Sequence, residues 1–512
     1  MRRSPEPAEA VRADTFTTSS TRISVLYWTL LVAVLAIAAL LRSLHLGDKS
    51  FWMDEGVSFA INRLCWIDFL KISWRRELNM APYYLLLRGW MKFGTSEAFL
   101  RSLSVLFSVA AVAVVYLLGR RLFGLRAGLL AALLAAVHAF LVRYAQEARS
   151  YSLVIFLVSL SCLLFVRNLE SRERTWTAYI VITALAIYGH FFALLVVLSQ
   201  WISLQLLPRP LHSQPWRAWK ITAIAILPLI VFIATRGAGP IAWISRPNSS
   251  SLHSFLVAFT GNGGDVLLAA YMILTAAAVI ILVIRRAELF IHRHLWGVAF
   301  VLSWLLVPIL VTLVFSLARP VFLPRYLVIC VPALVLLAAA VLVRLSSRWL
   351  QAAAVLLLAW FSLQGVRSYY RADFDIARED WRDATHYVLS QALPGDGVVF
   401  HAALGRMPFE YYVSQEKSEA TRPDIAFPRS GPAITYSDFV ANAKNASVGA
   451  LADRYSRVWL VLAHNEIAGR PDDTARKLET DLATRFPCIE QREFPQIVVR
   501  LYFRGSCPHP ER

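Results

Sequence analysis

The stretch Ser50-Phe51-Trp52-Met53-Asp54-Glu55-Gly56 follows the first long apolar run of the chain, Ile23 to Leu41. Asp54 and Glu55 therefore stand where a membrane helix ends and water begins. The side chains around these two carboxylates are mostly apolar or aromatic, which is unusual for a solvated loop. A reaction site that faces lipid needs charge held against apolar walls. The sequence thus predicts a reactive loop here, and the rest of the chain is interpreted as a scaffold that holds this loop at the membrane surface.

The composition indicates a membrane protein with many spans. The chain has 512 residues, of which 57% are hydrophobic and 17% are charged, against about 25% charged residues in soluble domains. Apolar runs of roughly 18 or more residues recur along it, which is the pattern of transmembrane helices. The formal net charge of +18 is typical of a membrane protein whose cytoplasmic loops are positive and contact anionic lipid head groups. We therefore expect membrane lipids as partners and no nucleic acid.

The predicted fold class is an α-helical polytopic membrane protein with about eleven spans. Short basic connections such as Arg167 to Arg174 are expected in the cytoplasm, although the first outer loop is also basic. This places an uncleaved N-terminal tail, residues 1–22, in the cytoplasm and the C-terminal region outside the plasma (inner) membrane. The spans are predicted near residues 23–41, 97–118, 127–141, 151–166, 175–189, 190–207, 220–236, 266–284, 296–317, 326–343 and 349–366.

A change in composition after Gln364 marks a second domain. Residues 23–366 are predicted to form the transmembrane domain, and residues 367–512 an extracytoplasmic soluble α/β domain. Its apolar segments Gly397 to Phe400 and Val458 to Leu462 are expected to be strands, with helical stretches between them such as Asp380 to Gln391.

Two cysteines, Cys488 and Cys507, lie in the predicted soluble domain. A disulfide between them fits an oxidising exterior compartment, and two unpaired thiols fit the sequence equally well. Cys162 and Cys330 fall within predicted spans and are expected to be packing residues.

The first outer loop, residues 42–96, contains no span, yet it is neither polar nor rich in glycine. The segments Trp66 to Leu70 and Ala81 to Leu87 are typical of short helices that lie in the membrane interface. Tyr83 and Tyr84 are therefore candidates for substrate binding. A loop that only anchors the protein explains the same pattern, and this alternative stays open.

A second cluster, Arg143 to Tyr151, opens the fourth predicted span on the same side as Asp54. Charged residues this close to a span are costly and are usually functional. On a helix, Gln146 and Arg149 would share one face, as would Glu147 and Tyr151. The alternative is a structural arrangement of Glu147 and Arg149 that fixes the helix end.

Two further candidates lie on the outer side. Arg325, beside Tyr326 at the mouth of the tenth predicted span, has the chemistry to hold a phosphate bidentately. An Arg–Tyr pair that anchors the helix in the interface is the alternative. His190, in the stretch Tyr188 to Phe192, is a weaker candidate because a lone histidine there is more often a packed residue. We find no Walker loop, dinucleotide fingerprint or zinc-type Cys/His spacing, so soluble nucleotide-sugar or ATP chemistry is not supported.

Together these residues resemble the GT-C type of bacterial membrane glycosyltransferase. The resemblance is to the superfamily of the protein O-mannosyltransferases (glycosyltransferase family 39) and the aminoarabinose transferases, over roughly residues 20–370. In one departure, Met80-Ala81-Pro82 stands where many members carry His-Pro-Pro, which puts the substrate in question. The resemblance is carried by the order and spacing of four motifs: Phe51-Trp52-Met53-Asp54-Glu55, Pro82 to Trp90, Tyr144 to Ser152, and Pro324 to Leu327 with Pro332.

The resemblance implies transfer of a sugar from a polyprenyl-phosphate carrier to a hydroxyl or phosphate of an acceptor lipid, glycan or protein. Inversion at the anomeric carbon needs a base, for which Asp54 is the candidate and Glu55 the alternative. A carboxylate beside Glu55 and partly out of water is expected to have a raised pKa, which makes it a better base. Arg149 and Arg325 are expected to face the lipid phosphate, with Lys49 or Arg88 as further candidates. Glu147 would orient Arg149 or bind a sugar hydroxyl. No cofactor is required, although the carboxylates have the chemistry to hold a divalent cation.

Two other classes of function compete with this interpretation. A lipid or solute transporter or flippase should show internal repeats and broken central spans, and neither is clear in the sequence. A non-catalytic membrane scaffold would leave Asp54, Glu55, Gln146 and Glu147 unexplained.

Overall fold

The computed structural model describes residues 7–170, 175–206, 215–236, 244, 246–289, 292–371, 379–416, 421–428, 431, 433–441, 448–464, 466–467 and 470–505. Helices make up the N-terminal part of the described chain. They are α1 (Pro7–Ser43), α2 (Met53–Arg63), α3 (Trp66–Arg75), α4 (Ala81–Trp90), α5 (Glu97–Phe123), α6 (Leu125–Ala136), α7 (Ala139–Ala145), α8 (Tyr151–Leu169), α9 (Thr177–Gly189), α10 (Ala193–Leu204), α11 (Trp216–Ala225), α12 (Leu227–Arg236), α13 (Ser249–Phe259), α14 (Gly264–Ile284), α15 (Arg293–Ala318), α16 (Val331–Leu342) and α17 (Arg348–Tyr370).

Membrane spans are supported at most of the predicted positions. Within the described residues, seven helical segments are long and apolar enough to cross a membrane, or up to nine if the bent pairs α6–α7 and α11–α12 each form one span. Each of the eleven predicted spans coincides with one or two of the helices α1 to α17. However, α9 and α10 have only 13 and 12 residues, fewer than the roughly 17 needed to cross a bilayer. The predicted number of eleven spans is therefore not confirmed.

The burial of the helices separates an interior from a lipid-facing surface. The whole of α16 is buried, and a 3₁₀ turn, Pro324–Cys330, leads directly into it. In contrast, α14 and α17 expose large apolar side chains such as Ile284 and Trp349. Surfaces of this kind are unfavourable in water but suit the hydrocarbon of a bilayer.

Short helices occupy the first outer loop, as predicted. Helix α3 exposes Trp66, Ile67, Leu70 and Trp74 along one side while Phe69 and Ile72 are buried, which fits a helix lying in the membrane interface. Ser96 begins the next span, because its side chain accepts a hydrogen bond from the N–H of Phe99 and caps α5.

The C-terminal part is a small α/β domain, as predicted. Its elements are α18 (Trp381–Gln391), β1 (Gly397–Phe400), α19 (Arg406–Gln415), β2 (Asp424–Phe427), α20 (Val448–Arg454), β3 (Arg457–Ala463), β4 (Glu466–Ile467), β5 (Arg470–Pro471), α21 (Asp473–Ala483), β6 (Cys488–Phe494) and β7 (Ile497–Phe503). Five of the strands form a sheet in the order β2-β1-β3-β7-β6, in which β2, β1 and β3 are parallel to each other and β7 is antiparallel to both β3 and β6. The predicted strands correspond to β1 and β3, and the predicted helix to α18.

The cysteines of the soluble domain differ from those of the membrane helices. Cys488 is disulfide-bonded, so the alternative of an unpaired thiol at this position is wrong. Cys507 lies outside the described residues, and its pairing with Cys488 stays a prediction. Cys162 and Cys330 are free and buried, as expected of packing residues.

The soluble domain packs directly on the loop that carries Asp54. Tyr412 of α19 accepts a hydrogen bond from the N–H of Phe51 at 2.7 Å. A Cβ added at Gly56 would lie 2.6 Å from the backbone nitrogen of Pro408, so only glycine permits this approach of α2 to α19. The loop that carries Asp54 is thus held between the membrane helices and the soluble domain.

Candidate active site

Asp54 lies in the first turn of α2, with its side chain 31% exposed. Its Oδ2 is 3.5 Å from Nη2 of Arg149 and 4.0 Å from Nη1 of Arg325. Both guanidinium groups come from segments next to predicted spans, so the chain folds three separate sequence motifs onto one point. The result is a partly exposed carboxylate between two cations.

The neighbouring carboxylate, Glu55, points into the interior of the protein. It is fully buried and accepts hydrogen bonds from Nε and Nη2 of Arg101, both at 2.8 Å, and from the N–H of Ala148 at 2.8 Å. Arg101 also donates to the backbone carbonyls of Leu46 and Lys49. The expectation that Glu55 sits beside Asp54 in one site needs correction, because Glu55 holds the loop onto α5 while Asp54 faces the open side.

Arg149 is almost completely buried at the centre of this cluster. It donates to the Tyr84 hydroxyl at 3.1 Å and to the backbone oxygen of Asp54 at 3.3 Å. Burial alone would lower the pKa of Arg149, but the surrounding tyrosines and Asp54 raise it well above its ordinary value. Burial also raises the pKa of Tyr84. Arg149 is therefore a fixed cation and Tyr84 a neutral phenol.

The two tyrosines of α4 are buried beneath the site. Tyr84 donates to Glu77 Oε2 at 3.2 Å, and Tyr83 shares a hydrogen bond of 3.0 Å with Ser104 of α5. Tyr84 touches the site through Arg149, whereas Tyr83 lies against α5.

The segment 146–150 is not helical, so the predicted helix faces are wrong. Gln146 donates to the backbone oxygens of Arg42 and Leu44 at 3.1 and 2.6 Å, and so fixes the end of α1. Glu147 is buried, with Oε1 3.8 Å from Nε of Arg143. The structure therefore brings Arg149 to Asp54 but turns Gln146 towards α1 and Glu147 towards Arg143.

Arg325 and Tyr326 lie in the 3₁₀ turn before α16. The Arg325 guanidinium stacks over the Trp52 ring at 5.5 Å. The Tyr326 ring contacts the His190 ring at 4.7 Å, and His190 is buried among aromatic rings. Tyr151 is also buried, with its ring 4.9 Å from that of Tyr144.

The two weaker cation candidates point away from Asp54. Lys49 Nζ donates to the backbone oxygen of Tyr369 at 2.7 Å. Arg88 donates to the backbone oxygens of Asn62 and Leu64 at 3.0 and 2.9 Å. In both cases the cation binds backbone carbonyls of the scaffold.

Sequence reasoning missed three residues around the site, namely Arg101, Glu379 and His464. Arg101 lies inside a predicted span, one turn into α5. A charged residue in a span is usually functional, so this position, next to an acidic loop, was a signal in the sequence. Glu379 and His464 come from the soluble domain, where Glu379 binds the N–H of Met53 and His464 binds Glu379. No motif near either residue indicates that they lie beside the Asp54 loop. Among the residues that the structure describes, no group of three or more His, Cys, Asp or Glu side chains is arranged to hold a metal ion.

Known proteins resemble both part of the sequence and the whole fold. Residues 80–235 match the family model described as dolichyl-phosphate-mannose-protein mannosyltransferase. No curated protein sequence matches the chain significantly. ArnT from Cupriavidus metallidurans in the apo state has a TM-score of 0.58 and 13% identity, covering 94% of this chain and 98% of that one. ArnT from the same organism bound to undecaprenyl phosphate has a TM-score of 0.57 and 14% identity, covering 92% and 97%.

This chain has the GT-C fold. The resemblance to GT-C type membrane glycosyltransferases that four motifs predicted is therefore confirmed. The match to the family model spans Tyr84 and Arg149, while Asp54 and Arg325 lie outside the matched residues but inside the shared fold. The GT-C fold thus places the Asp54 cluster within a multi-pass membrane protein.

Proposed function

We propose that this protein is a membrane glycosyltransferase that moves a sugar from a polyprenyl-phosphate carrier to an extracytoplasmic acceptor, with inversion. The acceptor is a hydroxyl or phosphate group of a lipid, glycan or protein. The observation that carries the proposal is the position of the Asp54 carboxylate between Arg149 and Arg325, at 3.5 and 4.0 Å. The likeness to a mannosyltransferase family model and to ArnT supports the reaction class.

In this mechanism Asp54 is the general base. When the acceptor is a hydroxyl, Asp54 takes its proton while the acceptor oxygen forms a bond to the anomeric carbon. A phosphate acceptor would attack through an oxygen that is already ionised. The bond from that carbon to the carrier phosphate breaks, and its electron pair stays on the phosphate oxygen. Opposite-face attack and departure invert the configuration at the anomeric carbon.

Arg149 and Arg325 supply the positive charge that the leaving phosphate needs. Guanidinium groups bind phosphate oxygens through charge-assisted hydrogen bonds, and such donors lower the barrier most where negative charge develops. Arg149 is fixed by Tyr84 and by the backbone of α2, so its position requires no reorganisation during the reaction. Tyr326 and Tyr151, which lie beside Arg325, are the candidates for sugar contacts.

The proposal includes the position of the protein and its lipid carrier in the membrane. The carrier chain would lie along apolar helix surfaces, with its phosphate at the depth of Asp54. We place the protein in the plasma (inner) membrane with its N-terminus in the cytoplasm and the soluble domain outside. The mechanism uses no cofactor, and no step is assigned to a divalent cation.

The test uses purified full-length protein in nanodiscs with a panel of polyprenyl-phosphate sugars and a membrane extract as acceptor source. Mass spectrometry would follow sugar transfer and release of the lipid phosphate. We expect the wild-type protein to transfer one or more of the sugars and the Asp54→Asn variant to lose this activity. Asp48→Asn is the matched control, because Asp48 lies in the same loop and its side chain pairs only with exposed His45 among the described residues.

Lack of turnover with every donor in the panel would contradict the proposal. Movement of a labelled lipid across proteoliposomes without cleavage of the sugar–phosphate bond would favour the transporter instead.

A further inference from the structure

Glu379 belongs to the soluble domain but contacts the reactive loop, and His464 of the same domain pairs with Glu379. His464 Nε2 lies 2.7 Å from Oε1 of Glu379. Glu379 is 2% exposed, and its Oε2 accepts hydrogen bonds from the N–H of Met53 at 2.9 Å and from Nε1 of Trp381. Because Met53 directly precedes Asp54, this pair is fixed to the first turn of α2.

Three charged groups from three different segments interact electrostatically with the His464 imidazole. They are Glu379, Asp54 of α2 and Arg325 of the 3₁₀ turn. The hydrogen bond to Glu379 raises the pKa of His464 above its ordinary value, while burial and Arg325 act in the opposite direction. The side chain is 56% exposed, so the ring lies at the open side of the cluster and not inside the domain.

A protonated histidine has two N–H donors. Nε2–H is used by Glu379, and Nδ1–H has no hydrogen-bond partner among the described residues. The candidate site contains other unused donors. Trp52, which lies against Arg325, and Arg149, which lies against Asp54, have Nε1 and Nε respectively buried without a hydrogen-bond partner in the described part of the chain. A site with several unused donors and two guanidinium groups fits an anion with several acceptor oxygens, such as a phosphate.

We propose that His464 is a phosphate-binding residue of the active site, which brings an imidazolium from the soluble domain to the lipid phosphate held by Arg325. This inference rests on the proposed function, because the phosphate is that of the polyprenyl carrier. It gives the soluble domain a direct part in the reaction site. It also makes binding of the lipid phosphate depend on the protonation of His464.

The test measures binding of undecaprenyl phosphate to the full-length protein in nanodiscs at about pH 6 and about pH 8, on either side of the ordinary range of histidine titration. We expect His464→Gln to weaken binding roughly tenfold at the lower pH, as loss of one charge-assisted hydrogen bond would, and much less at the higher pH. The phosphate has its own ionisation, but this is the same for every variant, so the difference between variants is the readout.

Three further variants are needed to interpret the result. Arg325→Gln should weaken binding at both pH values. His386→Gln is the matched control, because His386 also faces a glutamate of the soluble domain, Glu416 at 3.8 Å, but is 73% exposed; its binding should equal that of the wild-type protein. Glu379→Gln should move the pH-dependent loss of binding to lower pH, because it removes the carboxylate that favours the imidazolium.

Three results would overturn the inference. Binding by His464→Gln equal to wild type at both pH values, with Arg325→Gln weakened, would show that His464 only joins the two domains. An equal loss at both pH values together with a lower Tm would assign its effect to folding. Absence of binding by the wild-type protein would overturn the proposed function and this inference together.

Discussion

Glu55 and Arg101 form a bidentate ion pair, with Oε1 to Nε and Oε2 to Nη2 both at 2.8 Å and both side chains buried. The pair ties the first turn of α2, which carries Asp54, to the first turns of the span α5. Glu55 thus positions the neighbouring carboxylate that faces the site. Removal of one partner would leave an uncompensated charge inside the protein.

Replacement of Glu55 by Gln should therefore lower the free energy of unfolding by about 3–5 kcal/mol. Thermal unfolding in detergent, read by near-ultraviolet circular dichroism, would measure the loss. Glu288→Gln is the control, because Glu288 and Arg285 form an exposed pair, and loss of an exposed ion pair changes the free energy of unfolding little. An equal Tm for the two variants would contradict the structural role of Glu55.

Arg325 and Arg149 should differ in what their loss affects. Arg325→Gln should raise the Kd for undecaprenyl phosphate by roughly 10- to 100-fold, as expected for lost hydrogen bonds to a charged group, with little change in Tm. Arg149→Gln should weaken binding and also lower the Tm, because Arg149 is buried against Tyr84 and Ser58. Unchanged binding by Arg325→Gln would remove this residue from the phosphate site.

Gly56 tests the contact between the domains. Gly56→Ala should destabilise the protein by about 1–3 kcal/mol or more, because the added Cβ would lie 2.6 Å from the Pro408 nitrogen. Limited proteolysis should then release the soluble domain faster. Gly89→Ala in α4 is the matched control, since nothing lies within 4 Å of its added Cβ. Equal protease resistance of the two variants would argue against the packing of α2 on α19.

The His464–Glu379 pair should make stability depend on pH. The folded-state pKa of His464 is raised, so the stabilisation is fully present below the unfolded pKa of about 6.5 and is lost as pH rises through the folded value. His464→Gln should thus lower the Tm near pH 6 but scarcely near pH 9, with a difference worth about 1 kcal/mol or less for this half-exposed side chain. A destabilisation that grows with pH would contradict this assignment.

The membrane class, the soluble α/β domain and the meeting of Asp54, Arg149 and Arg325 could all be predicted from the sequence. The three residues each lie at the end of a long apolar run, and membrane topology brings such ends to one side. The number of spans could not be predicted, because α9 and α10 have the apolar composition of spans but only 13 and 12 residues.

The roles of individual polar residues depended on contacts between distant parts of the chain. In the sequence, Glu55 is equivalent to Asp54. The two differ because Arg101, which lies 46 residues later, binds Glu55. The sequence pattern of Arg143 to Tyr151 predicts a continuous helix, but the helix ends at Ala145. Gln146 therefore binds the end of α1 while Arg149 binds Asp54 and Tyr84. Glu379 and His464 lie 85 residues apart and meet only because the soluble domain folds, so no local pattern indicates the pair.

The most direct test of the proposed reaction is the single-turnover rate of sugar transfer by the wild-type protein and by Asp54→Asn, with the active polyprenyl-phosphate sugar bound in advance. We predict that the variant slows transfer by roughly 10²- to 10⁴-fold, the usual contribution of a general base, while its Kd for undecaprenyl phosphate and its Tm stay close to the wild-type values. A transfer rate equal to that of the wild-type protein would contradict the assignment of Asp54 as the base.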